Sequence, residues 1–178
     1  MLKFRQADLN DFDNMFKIVF MAAKDVLYNH TNTNDEQSAK KVFYTYYINE
    51  DSQYYYNNFL IAIDENNIIG GILSYDGKYA EKYTQLLNQN NHNMRFSPEC
   101  EKDEYYIDCL AVFPEYRGKG YAVQLLDECK RISKQKKLPL ALLVSEYKPR
   151  VKELYEKYGF NITNTLNIGS ELFYKMII

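Results

Sequence analysis

The chain has 178 residues and a mass of 21.1 kDa, enough for one domain with a buried core. Hydrophobic residues make up 46% of it, charged residues 26%, and the formal net charge is −2. These values exclude a disordered chain and a non-specific nucleic-acid binder, whose phosphate contacts need clustered positive charge.

The cysteines and the apolar segments of the sequence indicate the cellular compartment of the protein. The sequence holds Cys100, Cys109 and Cys129, an odd set without CxxC spacing, which is typical of reduced thiols. No apolar run approaches the roughly 20 residues that span a bilayer, and residues 1–10 lack the apolar core of a signal peptide. We therefore expect a cytoplasmic protein that binds neither membrane nor nucleic acid.

The first quarter of the chain predicts one short strand and two helices. Residues 2–6 alternate as in a strand, and Asp8 or Asn10 can cap the helix that follows. The apolar residues of that helix recur at i, i+3, i+4 and i+7: Phe12, Met15, Phe16, Val19, Phe20 and Ala23. Residues 30–34 are polar and turn-like, and residues 35–48 predict a second helix.

A hairpin and a third helix come next. Residues 59–63 and 68–75 predict antiparallel strands joined by a turn. Gly70 and Gly71, inside the second strand, indicate a bulge or a close approach of two backbones. Residues 79–90 then predict a short helix.

The second half begins with a strand–helix–strand unit. Residues 104–112 predict a strand, residues 118–136 a helix, and residues 139–144 a strand buried on both faces. This spacing is typical of a parallel crossover, whereas the earlier strands are antiparallel. The fold class is therefore a mixed α/β fold, and we see one domain over residues 1–178.

The last fifth predicts one helix and two strands. The helix covers residues 149–158, and Gly159 stands where a left-handed residue ends a helix. Residues 160–164 and 171–177 predict the closing strands. We expect residues 171–177 to leave an open sheet edge, which could pair with a second copy of the chain as a homodimer.

A glycine loop joins the strand and helix of the crossover. Gly118 and Gly120 permit positive φ and close approach, and amides at the start of a helix favour a pyrophosphate. The motif of a P-loop NTPase is absent, and a dinucleotide fingerprint would need a small residue at Val123. The alternative is a turn that only lets the chain enter the helix. The residues of the loop are Arg117, Gly118, Lys119, Gly120, Tyr121 and Ala122.

Two motifs in this half resemble a known family. Arg117, Gly120 and Ala122 match the Arg/Gln-x-x-Gly-x-Gly/Ala motif of the GNAT superfamily of acetyl-CoA-dependent N-acetyltransferases. Residues 153–160 are similar to its Leu-Tyr-x-x-x-Gly-Phe segment, so the resemblance covers residues 104–160. It implies a mixed sheet of six or seven strands, about four helices, and acetyl-CoA as co-substrate without a metal.

The resemblance also implies a site. In the superfamily two parallel strands diverge and the pantetheine arm of acetyl-CoA enters between them, which here concerns residues 104–112 and 139–145. Backbone groups of Leu110 and Val112 would then bind this arm, and the Leu110 amide would polarise the thioester carbonyl. Ala111, between them, is also counted among the cofactor-binding residues. The glycine loop from Arg117 to Ala122 would hold the pyrophosphate. Tyr155 would donate a proton to the departing sulfur.

The proton acceptor is less well defined by the resemblance. Some members carry Glu at the position of Tyr106, which is a poor base. Asp108, two residues further and therefore on the same strand face, is the tentative base. Glu104 is an outer candidate, and a relay through water or a purely structural role for both carboxylates stays open.

Lys148 stands where the superfamily often has Asn. If that Asn orients the cofactor, Lys148 must do so differently or not at all. Ser145 and Tyr147, at the end of the strand, could supply alternative hydrogen bonds to the cofactor.

The sequence says little about the molecule that accepts the acetyl group. We expect a primary amine of a small molecule; a protein or peptide N-acetyltransferase and a non-catalytic acyl-CoA-binding regulatory module are the alternatives. The tyrosine-rich residues 44–56 could line an aromatic pocket or simply pack, and His30 and His92 lie apart in polar loops, which argues against a metal site. An acidic run before the strand could attract a cationic amine or be a solvated loop: Glu99, Glu101, Asp103 and Glu104.

Overall fold

The computed structural model describes residues 2–169 and 171–178, so Met1 in the predicted segment 1–10 and Ser170 lie outside it. The strands are β1 (Lys3–Gln6), β2 (Phe59–Asp64), β3 (Asn67–Asp76), β4 (Tyr105–Val112), β5 (Leu140–Ser145), β6 (Asn161–Ile168) and β7 (Glu171–Ile177). The helices are α1 (Phe12–Thr31), α2 (Glu36–Tyr47), α3 (Ala80–Asn90), α4 (Tyr121–Lys136) and α5 (Pro149–Tyr158). None of the helices in these residues is long and apolar enough to cross a lipid bilayer.

The seven strands form one mixed sheet in the order β1-β2-β3-β4-β5-β7-β6. Strands β4 and β5 are parallel, and the other neighbours are antiparallel. This confirms the mixed α/β fold and the central crossover, with five helices where about four were expected.

The expected position of strand 171–177 is wrong. It lies between β5 and β6 as β7, because the β6–β7 hairpin folds back along β5, so β1 and β6 are the edge strands. Pairing of two copies through β7 is therefore not available to the protein, and a homodimer stays a prediction without an assigned surface.

The two faces of the sheet bury separate apolar clusters, because neighbouring residues of a strand point to opposite faces. Phe59 and Ile61 of β2 pack in the cluster beneath α1 and α2, whereas Leu60 and Ala62 pack in the cluster beneath α4. In β3, a Cβ atom at Gly70 would lie 2.6 Å from the Ala111 carbonyl oxygen. The predicted close approach of two backbones is thus present, and it fits β3 tightly against β4.

Helix α1 corrects the expected turn at residues 30–34. The helix continues to Thr31 with a non-helical residue at Ala23, and His30 lies in its last turn with 5% exposure. The ring nitrogen Nδ1 of His30 is 2.8 Å from the Tyr54 hydroxyl, and the Tyr46 hydroxyl donates to the His30 carbonyl. The polar residues 30–34 predicted a loop, but the hydrogen bonds to these two tyrosines allow the polar ring of His30 to be buried.

We expect His30 to make the folded state sensitive to acid. Burial lowers the pKa of His30 from 6.5 to about 4, so the neutral ring stabilises the fold above pH 6.5 and this contribution is lost as pH falls toward 4. The loss amounts to about 3 kcal/mol at 1.4 kcal/mol per pH unit. Chemical denaturation between pH 4 and 7 should show it, and His30→Asn should remove it.

Exposed His92 supplies the matched control, since His92→Asn should leave the pH dependence unchanged. The same pH dependence in the wild type and in His30→Asn would contradict this assignment to His30.

Candidate active site

Strands β4 and β5 diverge along their length. Their parallel pairing joins only Tyr105–Ile107 to Leu140–Leu142, so β4 has no partner on its β5 side from Asp108 onward. On its other edge β5 continues to pair with β7 up to Ser145. The result is a wedge-shaped gap between two neighbouring strands, as the resemblance to the GNAT superfamily implied.

A bulge at Asp108 decides which backbone groups face this gap. In the β3–β4 ladder Leu73 pairs with Cys109 and Ser74 with Ile107, which leaves Asp108 without a partner. Beyond the bulge the Phe113 amide donates to Ile69 of β3 at 2.9 Å.

The backbone N–H and C=O groups of successive residues point alternately to the two edges of a strand. Because the Phe113 amide points to β3, the edge that each preceding residue faces follows from it. Leu110 and Val112 direct their backbone groups into the gap, whereas Ala111 pairs with Gly71 of β3. Ala111 was expected among the cofactor-binding residues, but its backbone groups are paired within the sheet and do not face the gap.

Arg117 lies closer to the gap than the sequence suggested. Its Nε donates to the Val112 carbonyl at 3.0 Å, across the turn that follows β4. This carbonyl was expected to face the pantetheine arm, so a ligand in the gap has to use the Val112 amide or displace the Arg117 bond.

The glycine loop has the geometry of an open cradle. Gly118 and Gly120 both have φ of 77°, and a Cβ atom at either position would meet no protein atom within 4 Å. Helix α4 starts directly after Gly120 without a side-chain cap, so the amides of its first turn lack a side-chain acceptor. Such amides, together with the helix dipole, favour an anion such as a pyrophosphate.

The other loop side chains surround this cradle. Lys119 and Arg117 are exposed, and Lys119 Nζ lies 5.8 Å from the centre of the Tyr116 ring. The Tyr121 hydroxyl reaches Asp64 at the end of β2, at 3.4 Å. Tyr121 and Ala122 therefore offer backbone amides to an anion, and Arg117 and Lys119 offer charge.

Tyr155, on helix α5, is buried, with 8% exposure. It packs in the cluster beneath α4, with its ring centre 5.6 Å from that of Phe160. Burial raises the pKa of the Tyr155 hydroxyl, and the nearby thiols of Cys109 and Cys129 add to this. The Tyr155 hydroxyl is protonated at neutral pH and can donate.

Asp108 and Glu99 each accept one side-chain hydrogen bond. Gln53 Nε2 donates to Asp108 Oδ2 at 2.8 Å, and the Tyr106 hydroxyl donates to Glu99 Oε2 at 2.7 Å. Burial raises the pKa of Asp108 well above its ordinary value, the charge of Glu99 raises it further, and the Gln53 bond opposes both. Burial also raises the pKa of Glu99, against the hydrogen bond from Tyr106.

Glu104 is excluded as the outer base. It is buried at 4% exposure, pairs with Lys175 Nζ at 2.7 Å, and accepts from the Glu101 amide at 2.9 Å. A carboxylate held by these partners is structural. The acidic run before β4 is thus divided: Glu99 accepts from Tyr106 of β4, and Glu104 pairs with Lys175 of β7.

Ser145 and Lys148 differ from the sequence expectation. The Ser145 hydroxyl donates to Glu171 and accepts from the Tyr147 amide, so it is used within the protein and we no longer count it as a cofactor ligand. Lys148 Nζ donates to the Ala22 carbonyl at 2.8 Å. This contact ties the start of α5 to the interruption in α1 at Ala23.

Sequence reasoning missed Gln53 altogether and saw Glu99 only as part of an acidic run. The contacts of both with β4 join distant parts of the chain: Gln53 lies between α2 and β2, 55 positions from Asp108. No local pattern around either residue signals such a contact.

Comparisons with known proteins identify the family and the fold. The family model of the acetyltransferase (GNAT) family matches residues 24–160. An N-acetyltransferase from Staphylococcus aureus has a similar structure, with TM-score 0.81 and 22% identity, over 99% of this chain and 100% of the other. No curated protein matches the chain significantly.

Two further solved structures are similar at lower scores. The PaiA N-acetyltransferase from Thermoplasma acidophilum, solved with coenzyme A, has TM-score 0.59 and 16% identity, over 100% of this chain and 99% of that one. The spermidine/spermine N-acetyltransferase SpeG from Vibrio cholerae, solved in mutant forms, has TM-score 0.62 and 17% identity, over 100% and 94%. At these identities the likeness concerns the fold alone.

Proposed function

Because the chain belongs to the acetyltransferase (GNAT) family, we propose that it moves an acetyl group from acetyl-CoA to a primary amine of a small molecule. The transfer is a direct attack of the amine, without a covalent enzyme intermediate. The gap between β4 and β5, together with the open glycine cradle before α4, supports this proposal. Tyr155 is the proton donor that it assigns.

The residues present fit acetyl-CoA in two ways. The cradle leaves open space over Gly118 and Gly120, and the uncapped amides at the start of α4 suit the pyrophosphate. The unpaired edge of β4 at Leu110 and Val112 suits the amides of the pantetheine arm, as in strand addition. Acetyl-CoA supplies an activated thioester when bound.

The chain then provides the proton transfers. An alkyl ammonium has a pKa near 10, so Asp108 accepts one proton and leaves a neutral amine that can attack. The Leu110 amide donates to the thioester carbonyl oxygen. A C–N bond forms as the C–S bond breaks, Tyr155 gives its proton to sulfur, and water returns a proton from the new amide nitrogen to Tyr155.

Binding of CoA tests the cradle. Gly120→Val should weaken CoA at least about 10-fold in calorimetry, because a side chain at this position enters the open space and disturbs charge-assisted hydrogen bonds worth about 1.5–3 kcal/mol each. Gly169→Val is the matched control, since Gly169 also has positive φ and open space around its Cβ position, in the β6–β7 turn. No heat from CoA and well-folded wild-type protein would refute the proposal.

The acceptor is tested with a panel of small amines and acetyl-CoA. Steady release of CoA thiol with at least one amine supports a small-molecule acetyltransferase. Binding of CoA without release, in the panel and in cell extract, would indicate a regulatory binding module. Labelled acetyl groups that appear only on peptides would indicate a protein acetyltransferase.

A further inference from the structure

We propose that strand β6 is an interface with a second copy of this chain, and that the two β6 strands pair antiparallel about a two-fold axis at Leu166. The inference does not depend on the proposed function, because β6 is remote from the gap between β4 and β5. Among residues 2–169 and 171–178, β6 has a strand beside it on one edge only. The backbone N–H and C=O groups of such an open edge pair readily with a further strand.

The two edge strands of the sheet differ in how they are protected. Charged side chains and a short length usually prevent pairing at an edge, and β1 has both, with Lys3 and Arg5 among its four residues. Strand β6 has eight residues without a charge or a proline, and seven of them are exposed. Pairing of β6 with β1 of another copy would also continue into an open filament, whereas pairing of β6 with itself gives a closed dimer.

A bulge determines which part of β6 pairs regularly. The β6–β7 ladder shifts between Ile162 and Asn164, so the regular part of the strand runs from Asn164 to Ile168. Leu166 is the middle residue of this part. A two-fold axis there places Leu166 opposite its own counterpart, and Asn164 opposite Ile168 of the second copy.

An apolar row on one face of the sheet favours this register. Leu166 pairs with Phe173 of β7, and both side chains are half-buried. Within the described part of the chain, neither belongs to an apolar cluster of the core. In the dimer the row of Phe173 and Leu166 meets the same row of the second copy, so four apolar side chains lie side by side. The buried surface is identical in both copies, as a two-fold interface requires.

The polar side chains of β6 also fit a second copy. Thr165 and Asn167 point to the opposite face, and Thr165 of one copy lies opposite Asn167 of the other. Hydroxyl and amide groups both donate and accept, so this pair can form hydrogen bonds in either direction. On the face of Leu166, the antiparallel order sets Glu171 of one copy in the same row as Lys175 of the other, which keeps like charges apart.

Sedimentation velocity over a range of concentrations tests the dimer. One strand pair buries less than the roughly 1,200 Å² of a standard interface, so we expect a monomer at about 1 µM and a dimer at about 1 mM. Leu166→Lys should weaken the dimer at least about 10-fold, because it sets two like charges about 5 Å apart in opposite strands. Ile162→Lys, on the same strand but before the bulge, is the control and should leave the dimer unchanged. Circular dichroism checks that both variants fold.

Cysteine cross-linking tests the register. The native thiols are buried and give little background: Cys100, Cys109 and Cys129. Leu166→Cys should form a disulfide-linked dimer on oxidation, because residues at the axis have Cα atoms within the roughly 4.4–6.8 Å that a disulfide spans. Ile162→Cys, at a position with 42% exposure, should not, since the two copies of residue 162 lie about 27 Å apart along the strands.

Each outcome decides the proposal. A wild type that stays monomeric up to about 1 mM would overturn it and leave this edge to a strand of another protein. A dimer that Leu166→Lys does not weaken would exclude β6 as the interface, and faster cross-linking of Ile162→Cys than of Leu166→Cys would refute the register. Absence of CoA binding or acetyl transfer contradicts the proposed function alone, because these measurements do not depend on β6.

Discussion

Replacement of Tyr155 by phenylalanine is expected to lower kcat about 100-fold and to leave the affinity for CoA nearly unchanged. A positioned general acid contributes about 10²- to 10⁴-fold, and the variant removes only the hydroxyl that donates to sulfur. The ring can keep its packing against Phe160, so the fold should be retained. Steady-state kinetics and CoA calorimetry on the same preparation measure the two quantities.

Tyr158 provides the matched control on the same helix. Its hydroxyl donates to Asp127 at 2.8 Å on the exposed side of α5, so Tyr158→Phe should leave kcat unchanged. If Tyr155→Phe instead weakens CoA while kcat stays constant, the Tyr155 hydroxyl is a binding group and not an acid.

Asp108→Asn is expected to have two opposite effects, a loss of activity and a gain in stability. The amide cannot accept the amine proton, so kcat/KM should fall about 100-fold or more. The amide oxygen can still accept the hydrogen bond from Gln53, which preserves the local structure. Thiol release measured from pH 6 to 9 checks the first effect.

The gain in stability follows from the raised pKa of Asp108 in the folded state. A carboxyl with a raised pKa contributes its stabilisation below its unfolded pKa and loses it as pH rises through the folded value. Ionised Asp108 therefore lowers the free energy of unfolding of the wild type at pH 8. Asp108→Asn should have the higher Tm there, by about 2–4 °C for each kcal/mol gained in that free energy. At pH 4, where both side chains are neutral, the two Tm values should converge.

A lower Tm for Asp108→Asn at pH 8 would show that the ionised carboxylate stabilises the fold. Asp103→Asn, in the exposed part of the preceding loop, is the control and should change neither Tm nor rate. Together the two measurements separate a base held at an energetic cost from an ordinary structural carboxylate.

The glycine loop could be predicted because its signals are local. Positive φ at Gly118 and Gly120, and an amphipathic helix directly after them, depend on a few consecutive residues. The same holds for Gly159, which ends α5 with φ of 112°. Such features are set by backbone sterics and by short-range hydrogen bonds, both of which depend only on residues close together in the sequence.

The predictions that the structure corrects depended on contacts between segments that are distant in the sequence. His30 was predicted to lie in a polar loop, but it is buried in a helix with Tyr54 and Tyr46 as hydrogen-bond partners. Glu104 was an outer candidate for the base, but it forms an ion pair with Lys175. The resemblance placed Ala111 among the cofactor-binding residues, but its backbone pairs with β3. The bulge at Asp108, which changes which residues of β4 turn their backbone groups to the gap, leaves no mark in the local pattern.

The amino-acid sequence by itself determined the elements, the parallel crossover, the glycine loop and the tyrosine frame of this acetyltransferase-family chain, since all of these follow from periodicity and short motifs. Only the tertiary structure decided which backbone groups of β4 face the gap, and that Gln53 meets Asp108 and Glu99 meets Tyr106. The physical reason is that hydrogen bonds and charge interactions across a sheet act over a few ångströms of space, whatever the separation along the chain.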